Sequence, residues 1–284
     1  MQGYILRRRK LGRTSVKEIR KFSKNIVRRV LDKKMDDQNL LCIRWGYTQN
    51  VPQEKVLNTA EAIHQVNDKK AFRLLLSSKD LAPKTWATLA EYTKLNNAAK
   101  EIPLHPLVVR PAVHAQGKHC YKCATYQELR QAVDKCGANY YISEFVDKVA
   151  EYRVFVCQGR AVWVAKKTPG NPDDVAWNVA RGGRFDNVAW GDWDCKMVKT
   201  AILAFNESKL DFGGVDVMVD KDGKCYVLEI NSAPSQTSPY RQECVAKVFD
   251  YILERNGAKE RIPLSEKKGL YLKFIHPAID EKAY

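Results

Sequence analysis

Several things are scarce or missing in these 284 residues, and each absence closes a class of function. No apolar run approaches the roughly 20 residues needed to cross a bilayer, so a membrane protein or membrane partner is not expected. The opening MQGYILRRRK has neither an apolar signal core nor a small-residue cleavage site, which speaks against secretion and for a cytoplasmic protein. Internal repeats and low-complexity tracts are absent, so neither a repeat array nor a disordered scaffold is expected. A zinc site wants four ligands, usually as two close pairs. Among the eight cysteines only Cys120 and Cys123 make such a pair; Cys136 stands alone downstream and no second pair exists. Reduced structural cysteines are the expectation. Acidic residues are nearly missing from one stretch: thirteen Lys or Arg fall within residues 1–34, opposed only by Glu18 and Asp32.

What is present describes a globular chain. Hydrophobic residues make up 45% and charged residues 29%, enough for one large or two modest domains with a real core. The net charge of +15 is concentrated at the N-terminus, which implies a polyanionic partner, an acidic protein or peptide substrate, or a solvated helix face. Val16, Ile19, Phe22, Ile26, Val27 and Val30 follow a helical spacing. They predict an amphipathic helix over 16–31 with one buried stripe and a basic outer face. The segment has no aromatic stacking platform, but phosphate contacts need only charge.

Further along, Leu40–Ile43 reads as a short buried strand. A capping box in Asn58-Thr59-Ala60-Glu61 starts a helix, and Asp68–Leu76 is a second one. Strands are predicted at 82–86, 107–110 and 120–123, and a helix from Thr125 to about Cys136. Asn139–Phe145 is a strand, and two antiparallel hairpins come after it, 151–167 around Gln158-Gly159 and 215–230 around 220–223. Between them lie an irregular segment at 175–190, a candidate active-site loop, and a helix over 194–208. A last helix spans 240–254. Hairpins interleaved with helices make the class α+β rather than a doubly wound parallel sheet.

The stretch CYVLEINSAP, residues 225–234, carries the sharpest chemical signal. Strand periodicity puts Glu229 and Asn231 on one face, and Asp216 lies on the preceding strand of the same hairpin. Two carboxylates and a carboxamide oxygen form a hard-oxygen set suited to Mg²⁺, which completes its shell with substrate phosphates. Turn chemistry alone also places Asp and Asn near hairpin ends. Arg110, Lys69, and Lys166 or Lys167 are available as phosphate-binding cations, although a solvated side chain is the common fate of each.

Taken in order, Asp68-Lys69, Val108-Val109-Arg110-Pro111 with Gln116-Gly117, Glu144-Phe145-Val146, Glu151–Val156, Gly214–Met218 and Leu228–Pro234 resemble the ATP-grasp superfamily. D-alanine–D-alanine ligases and ribosomal-protein glutamate ligases are the similar branches, over about residues 55–255. The resemblance implies an ATP-grasp fold, two α+β lobes clasping ATP. It divides the chain into a reduced basic N-terminal region (1–55), the grasp domain (56–255) and a C-terminal tail (256–284). It further implies Mg²⁺, or Mn²⁺ in its place, on Asp216, Glu229 and Asn231. Lys69, Arg110 and Lys166 would meet the nucleotide phosphates, beneath a closing loop 114–119 that contains Gln116 and Gly117. Glu144, Phe145 and Val146 would be the adenine-facing hinge, and Glu151 the ribose-binding carboxylate. Two departures stand out. Arg110 replaces a usual Lys, and Gly214 replaces the Arg that steadies the tetrahedral intermediate in D-alanine ligases. Arg153, Arg181 or Arg184 could take that catalytic role. Asn178 through Gly183 looks like the Asn…Arg-Gly-Gly loop of the glutamate-ligase branch.

The activity so implied is ATP-dependent joining of a carboxylate to an amine through an acylphosphate, with an amino acid, peptide or acidic protein as substrate. A small-molecule kinase on the same fold, or a non-catalytic nucleotide- or nucleic-acid-binding protein, is the alternative.

Overall fold

The computed structural model describes residues 1–8, 12–28, 39–51, 54–96, 105–113, 119–171, 175, 177 and 182–259. Three sheets organise them. Near the N-terminus β1 (Gly3–Arg7), β2 (Leu41–Trp45) and β3 (Val56–Leu57) pair in parallel, in that order. A four-stranded antiparallel sheet holds β4 (Thr85–Trp86), β5 (Leu107–Pro111), β6 (Tyr121–Cys123) and β7 (Tyr140–Glu144), ordered β4-β7-β5-β6. The largest sheet is also antiparallel. It comprises β8 (Lys148–Cys157), β9 (Arg160–Thr168), β10 (Arg184–Asn187), β11 (Phe212–Asp220) and β12 (Cys225–Asn231), ordered β10-β9-β8-β11-β12.

Helices cover both faces of the large sheet, which is why its strands read as nearly continuous apolar runs. In β8, Val154 and Val156 join one core with α2 (Ala60–Asn67), α3 (Lys69–Ser78) and α6 (Cys195–Glu207). Phe155 and Cys157 point the other way, into a core shared with β2, α1 (Arg13–Phe22) and α7 (Pro239–Glu254). That second core is built on packed rings: Trp45 stacks on Phe212 at 5.4 Å between ring centres, and Phe249 meets Phe212 edge-on at 4.9 Å. The N-terminal strands are thus packed directly onto the large sheet. The four-stranded sheet has its own core with α4 (Leu89–Asn96) and α5 (Tyr126–Cys136). Among the described residues no helix is long and apolar enough to cross a membrane.

Several boundaries differ from the sequence reading for identifiable reasons. The first helix stops at Phe22, because Asp250 of α7 captures the next three residues of the chain. Its carboxylate accepts from the Ser23 hydroxyl at 2.5 Å and from the Lys24 and Asn25 amides at 2.9 and 3.0 Å. Ile26 then bridges to Gly3 beside β1 instead of continuing the helix. Residues 29–38 lie outside the described set. The cap of α2 is Thr59, which accepts from the Ala62 amide at 3.2 Å. Asn58 instead turns left-handed (φ 62°), and its buried carboxamide ties down Asp211 and Phe212. The segment 175–190 holds a short edge strand, β10, and α4 had no counterpart in the sequence reading.

Asp250 is 7% exposed, so removing its carboxylate strands the Lys24 amide and the Ser23 hydroxyl and leaves the Asn25 amide only its 3.2 Å bond to Ser23 Oγ. Asp250→Ala should cost about 2 kcal/mol of stability, the usual penalty for buried donors left unpaired. A lower urea midpoint with an unchanged slope is the expected result; an unchanged midpoint would contradict the assignment.

Candidate active site

The large sheet brings the chemistry together by register. Asp216 of β11 stands opposite Glu229 of β12 on one side and Arg153 of β8 on the other. Two residues back along β8, on the same face, Glu151 pairs with Lys167 of β9. The β11–β12 pairing slips by one residue between Asp216 and Val217, leaving Leu228 as a bulge. The bulge lets Val227 enter the core while Glu229, two residues later, faces a cavity. It also exposes two carbonyls, Val227 and Leu228, and both are capped by the guanidinium of Arg73 from α3. Arg73 is 7% exposed, and burial pushes its pKa down.

The cavity is about 320 Å³. Val66, Phe72, Leu76, Val108, Phe145, Val146 and Met218 supply apolar wall; Lys69, Arg110, Lys148 and Lys167 supply cations; Glu144, Glu151, Asp216, Glu229 and Asn231 supply oxygens. Trp177 also lines it, with Lys148 Nζ 4.5 Å from its ring centroid.

Within it every carboxylate of the large sheet is matched by a cation. Arg153 grips Asp216 with a two-point fork, Nε to Oδ1 at 2.5 Å and Nη2 to Oδ2 at 2.7 Å. Despite its burial, this contact raises the Arg153 pKa. Glu151, 2% exposed, sits between Lys148 at 2.7 Å and Lys167. Burial lowers the Lys148 pKa, with Glu151 pulling against it. Lys69 Nζ lies 2.8 Å from Glu229 Oε2, and Asn231 Nδ2 donates to Glu229 Oε1 at 3.1 Å. Burial would raise the Glu229 pKa; Lys69 and Asn231 overcome it and hold the carboxyl well below its usual range. Arg110 donates through Nε and Nη2 to the Cys120 sulfur, both at 3.2 Å. Cys123 is buried, its thiol pushed up to about 11 by desolvation, and all eight cysteines are free.

Asp216, Glu229, Asn231, Lys69, Arg110, Glu144, Phe145, Val146 and Glu151 therefore come together around one space. Three residues do not line it, and Arg153 is one, its guanidinium turned onto Asp216. Lys166 is exposed on the outer face of β9, because strand alternation turns its neighbour Lys167 inward. Arg184 is an exposed edge-strand residue, 3.1 Å from Asp186, and does not line the cavity. Gln116, Gly117, Asn178 and Arg181 lie outside the described residues. At Gly214 a β-carbon would stand 2.8 Å from Pro234 Cβ and 3.5 Å from Arg153 Cδ. No side chain fits there, and the stem of Arg153 runs through the space beside it. Sequence reasoning missed Arg73 and Lys148. Arg73 left no signal, since its role depends on a bulge; Lys148 sits three residues before Glu151 and could have been read as its partner.

The donor set suits a hard divalent cation. Two carboxylates and an amide oxygen converge, and Asn231 Oδ1 accepts from no donor among the described residues. Among the described residues no group of three or more His, Cys, Asp or Glu is placed to hold a metal ion, so a cation here would need the Asn231 oxygen beside the two carboxylates.

The signature of the RimK-like ATP-grasp domain matches residues 66–251. The chain belongs to the RimK-like ATP-grasp family. A D-alanine–D-alanine ligase from Acinetobacter baylyi (strain ATCC 33305 / BD413 / ADP1) is 25% identical over 183 residues. That match spans 60% of this chain and 58% of the Acinetobacter protein's length. Two solved structures share the fold. A RiPP-associated ATP-grasp ligase from Chryseobacterium gregarium, in complex with ADP and a leader and core peptide, has a TM-score of 0.62 at 10% identity. It covers 93% of this chain and 100% of that one. D-alanine–D-alanine ligase from Bacillus anthracis has a TM-score of 0.61 at 16% identity, covering 89% and 96%. The α+β ATP-grasp architecture expected from the motifs is the one found.

In this ATP-grasp site the Lys69–Glu229 pair carries a definite pH signature. A carboxyl whose folded pKa is depressed stabilises the fold above its ordinary value of 4.5, and that contribution fades as pH falls below it. Lys69→Met should therefore be less stable than the parent at pH 7, and the gap should narrow as pH falls from 4.5 towards pH 3. Thermal melts across that range measure it; a gap of constant size would mean that the pair is not what Lys69 contributes.

Proposed function

We propose that the chain is an ATP-dependent carboxylate–amine ligase. The observation that carries this reading is the Asp216, Glu229 and Asn231 oxygen set on one wall of a cavity that also holds Lys69, Arg110 and Lys167. The apolar surface of Val108, Phe145, Val146 and Met218 would receive the adenine, and the exposed carboxylate of Glu144 could meet its polar edge. Glu151 is the candidate for the ribose hydroxyls. Lys69, Arg110 and Lys167 would hold the phosphates. Asp216, Glu229 and Asn231 would hold Mg²⁺, which when bound neutralises charge on the phosphate oxygens.

The reaction balances simply. A substrate carboxylate oxygen attacks the γ-phosphorus of ATP, the bond to the β-phosphate oxygen breaks, and ADP leaves. An amine lone pair then attacks the acyl carbon, and the nitrogen gives up a proton to the departing phosphate or to water. The amide forms, and inorganic phosphate leaves with the electron pair of the broken C–O bond. The chain needs no nucleophile of its own: it orients two substrates, excludes water and stabilises charge. In this reading Arg153, whose stem lies beside the space closed off at Gly214, would meet the oxyanion. Amino acids or peptides are the substrate class in this reading, by analogy with the relatives' names. A cytoplasmic enzyme is part of it, because the chain must meet ATP.

Mg-ATP with pools of amino acids and peptides should release ADP and free phosphate. Glu229→Gln should lower that turnover at least about a hundredfold, the scale seen when a group stabilising transition-state charge is lost. Coupled detection of ADP and phosphate measures both. A phosphorylated product without free phosphate would make the chain a kinase. Turnover unaffected by Glu229→Gln would overturn the site.

A further inference from the structure

Helix α1 is held by its packing and opposed by its own charge. Its cap, Gly12, contributes no side-chain hydrogen bond, and its first turn has no acidic residue. Arg13 instead stands there, where the helix dipole disfavours a cation. Arg13, Lys17 and Lys21 then recur at steps of four, with Arg20 on the same side, a spacing at which like charges repel. Glu18, 2.7 Å from Lys21, relieves only part of this. Arg13, Lys17, Lys21 and the nearby Lys24 are exposed, while Ser15 and Ile19 on the opposite face are buried. Solubility is met as well by mixed charges. Local rules broken with no structural return are what a functional surface leaves behind.

The position of this helix gives the charge a purpose. Ser15 Oγ accepts the Gln236 amide at 2.9 Å, five residues beyond Asn231. Gly46, at the end of β2, approaches the same loop so closely that a β-carbon would stand 2.9 Å from Ala233 Cβ. The N-terminal turn of α1 thus lies against the loop 232–238 that leaves the candidate metal site, held there by its buried face, and the basic face starts on the outward side of the same turn. It carries no ring on which a base could stack: Phe22, the one aromatic of α1, lies about half a turn away.

We propose that the exposed face of α1 docks an acidic segment of a peptide substrate and guides its reacting group past the loop 232–238 to the cavity. The proposal rests on the ligase reading and narrows its substrate class to peptides rich in Asp and Glu. From residue 13 to residue 21 the stripe runs about 12 Å at 1.5 Å per residue, the reach of roughly four extended residues. An acidic stretch of that length is enough.

Fluorescence anisotropy with a labelled decaglutamate peptide tests this directly, with a labelled ten-nucleotide single strand and a Gly-Ser decapeptide as the other arms. Decaglutamate should bind, more weakly as salt rises, and the Gly-Ser peptide should not. The double charge reversal Lys17→Glu/Lys21→Glu should weaken decaglutamate binding at least tenfold, with melting temperature and ADP affinity unchanged. Equal decaglutamate affinity in parent and variant would overturn the proposal. So would tighter binding of the oligonucleotide that is lost in the variant, which would assign the stripe to nucleic acid. ADP affinity separates the two claims: its absence in the parent would defeat the ligase reading, whatever the peptide does.

Discussion

Asp216 and Arg153 face each other across neighbouring strands in the middle of the large sheet, and both are almost entirely buried. Taking two charges out of water costs several kcal/mol each, and their attraction repays this only with close geometry and further partners. The two-point fork supplies the geometry. Lys167, 3.9 Å from Asp216 and also paired with Glu151, links this pair to the next. Around it Lys167 of β9 serves Glu151 and Lys69 of α3 serves Glu229, so each carboxylate has a cation beside it even though Asp216 and Glu229 stand opposite each other. Truncating one member would leave its partner unpaired in a poorly solvated space. The arrangement holds only if the strands keep their register, and the two apolar cores on either face of the sheet keep it.

The bulge at Leu228 is the second constraint. A regular strand would put Val227 and Glu229 on one face, and one of them would be misplaced. The slip allows both their proper environments, and Arg73 satisfies the carbonyls that it leaves bare. Arg73 therefore acts as structure, although its charge also adds to the positive field of the cavity. Cations outnumber carboxylates around that space, with Lys69, Arg73, Arg110, Lys148 and Lys167 lining it and Arg153 beside it. A polyanion such as a nucleotide triphosphate is the complementary ligand.

Much of this was legible in the residues. Glu229 and Asn231 share a face through strand periodicity, and the hairpin at 220–223 brings Asp216 opposite Glu229. The order of motifs pointed to the fold. The features that stayed hidden depended on long-range pairing. The early end of α1 is set by Asp250, more than two hundred residues away. The choice of Lys167 over Lys166 is set by which face of β9 meets Glu151. Edge strand β10 has a weak apolar pattern, because only its pairing with β9 gives it order. Of the parallel N-terminal strands β2 was read at 40–43, while β1 was obscured by the dense charge at 7–10.

The central claim is that the oxygens of Asp216, Glu229 and Asn231 form a divalent-cation site that works together with a nucleotide. Electron paramagnetic resonance of Mn²⁺ tests it most directly, since the free ion's signal falls when it is bound. In the presence of ADP the parent chain should quench that signal well beyond ADP alone, and Glu229→Gln should abolish the extra quenching while its melting profile stays cooperative. Equal quenching by the two chains, or none by the parent, would contradict the account.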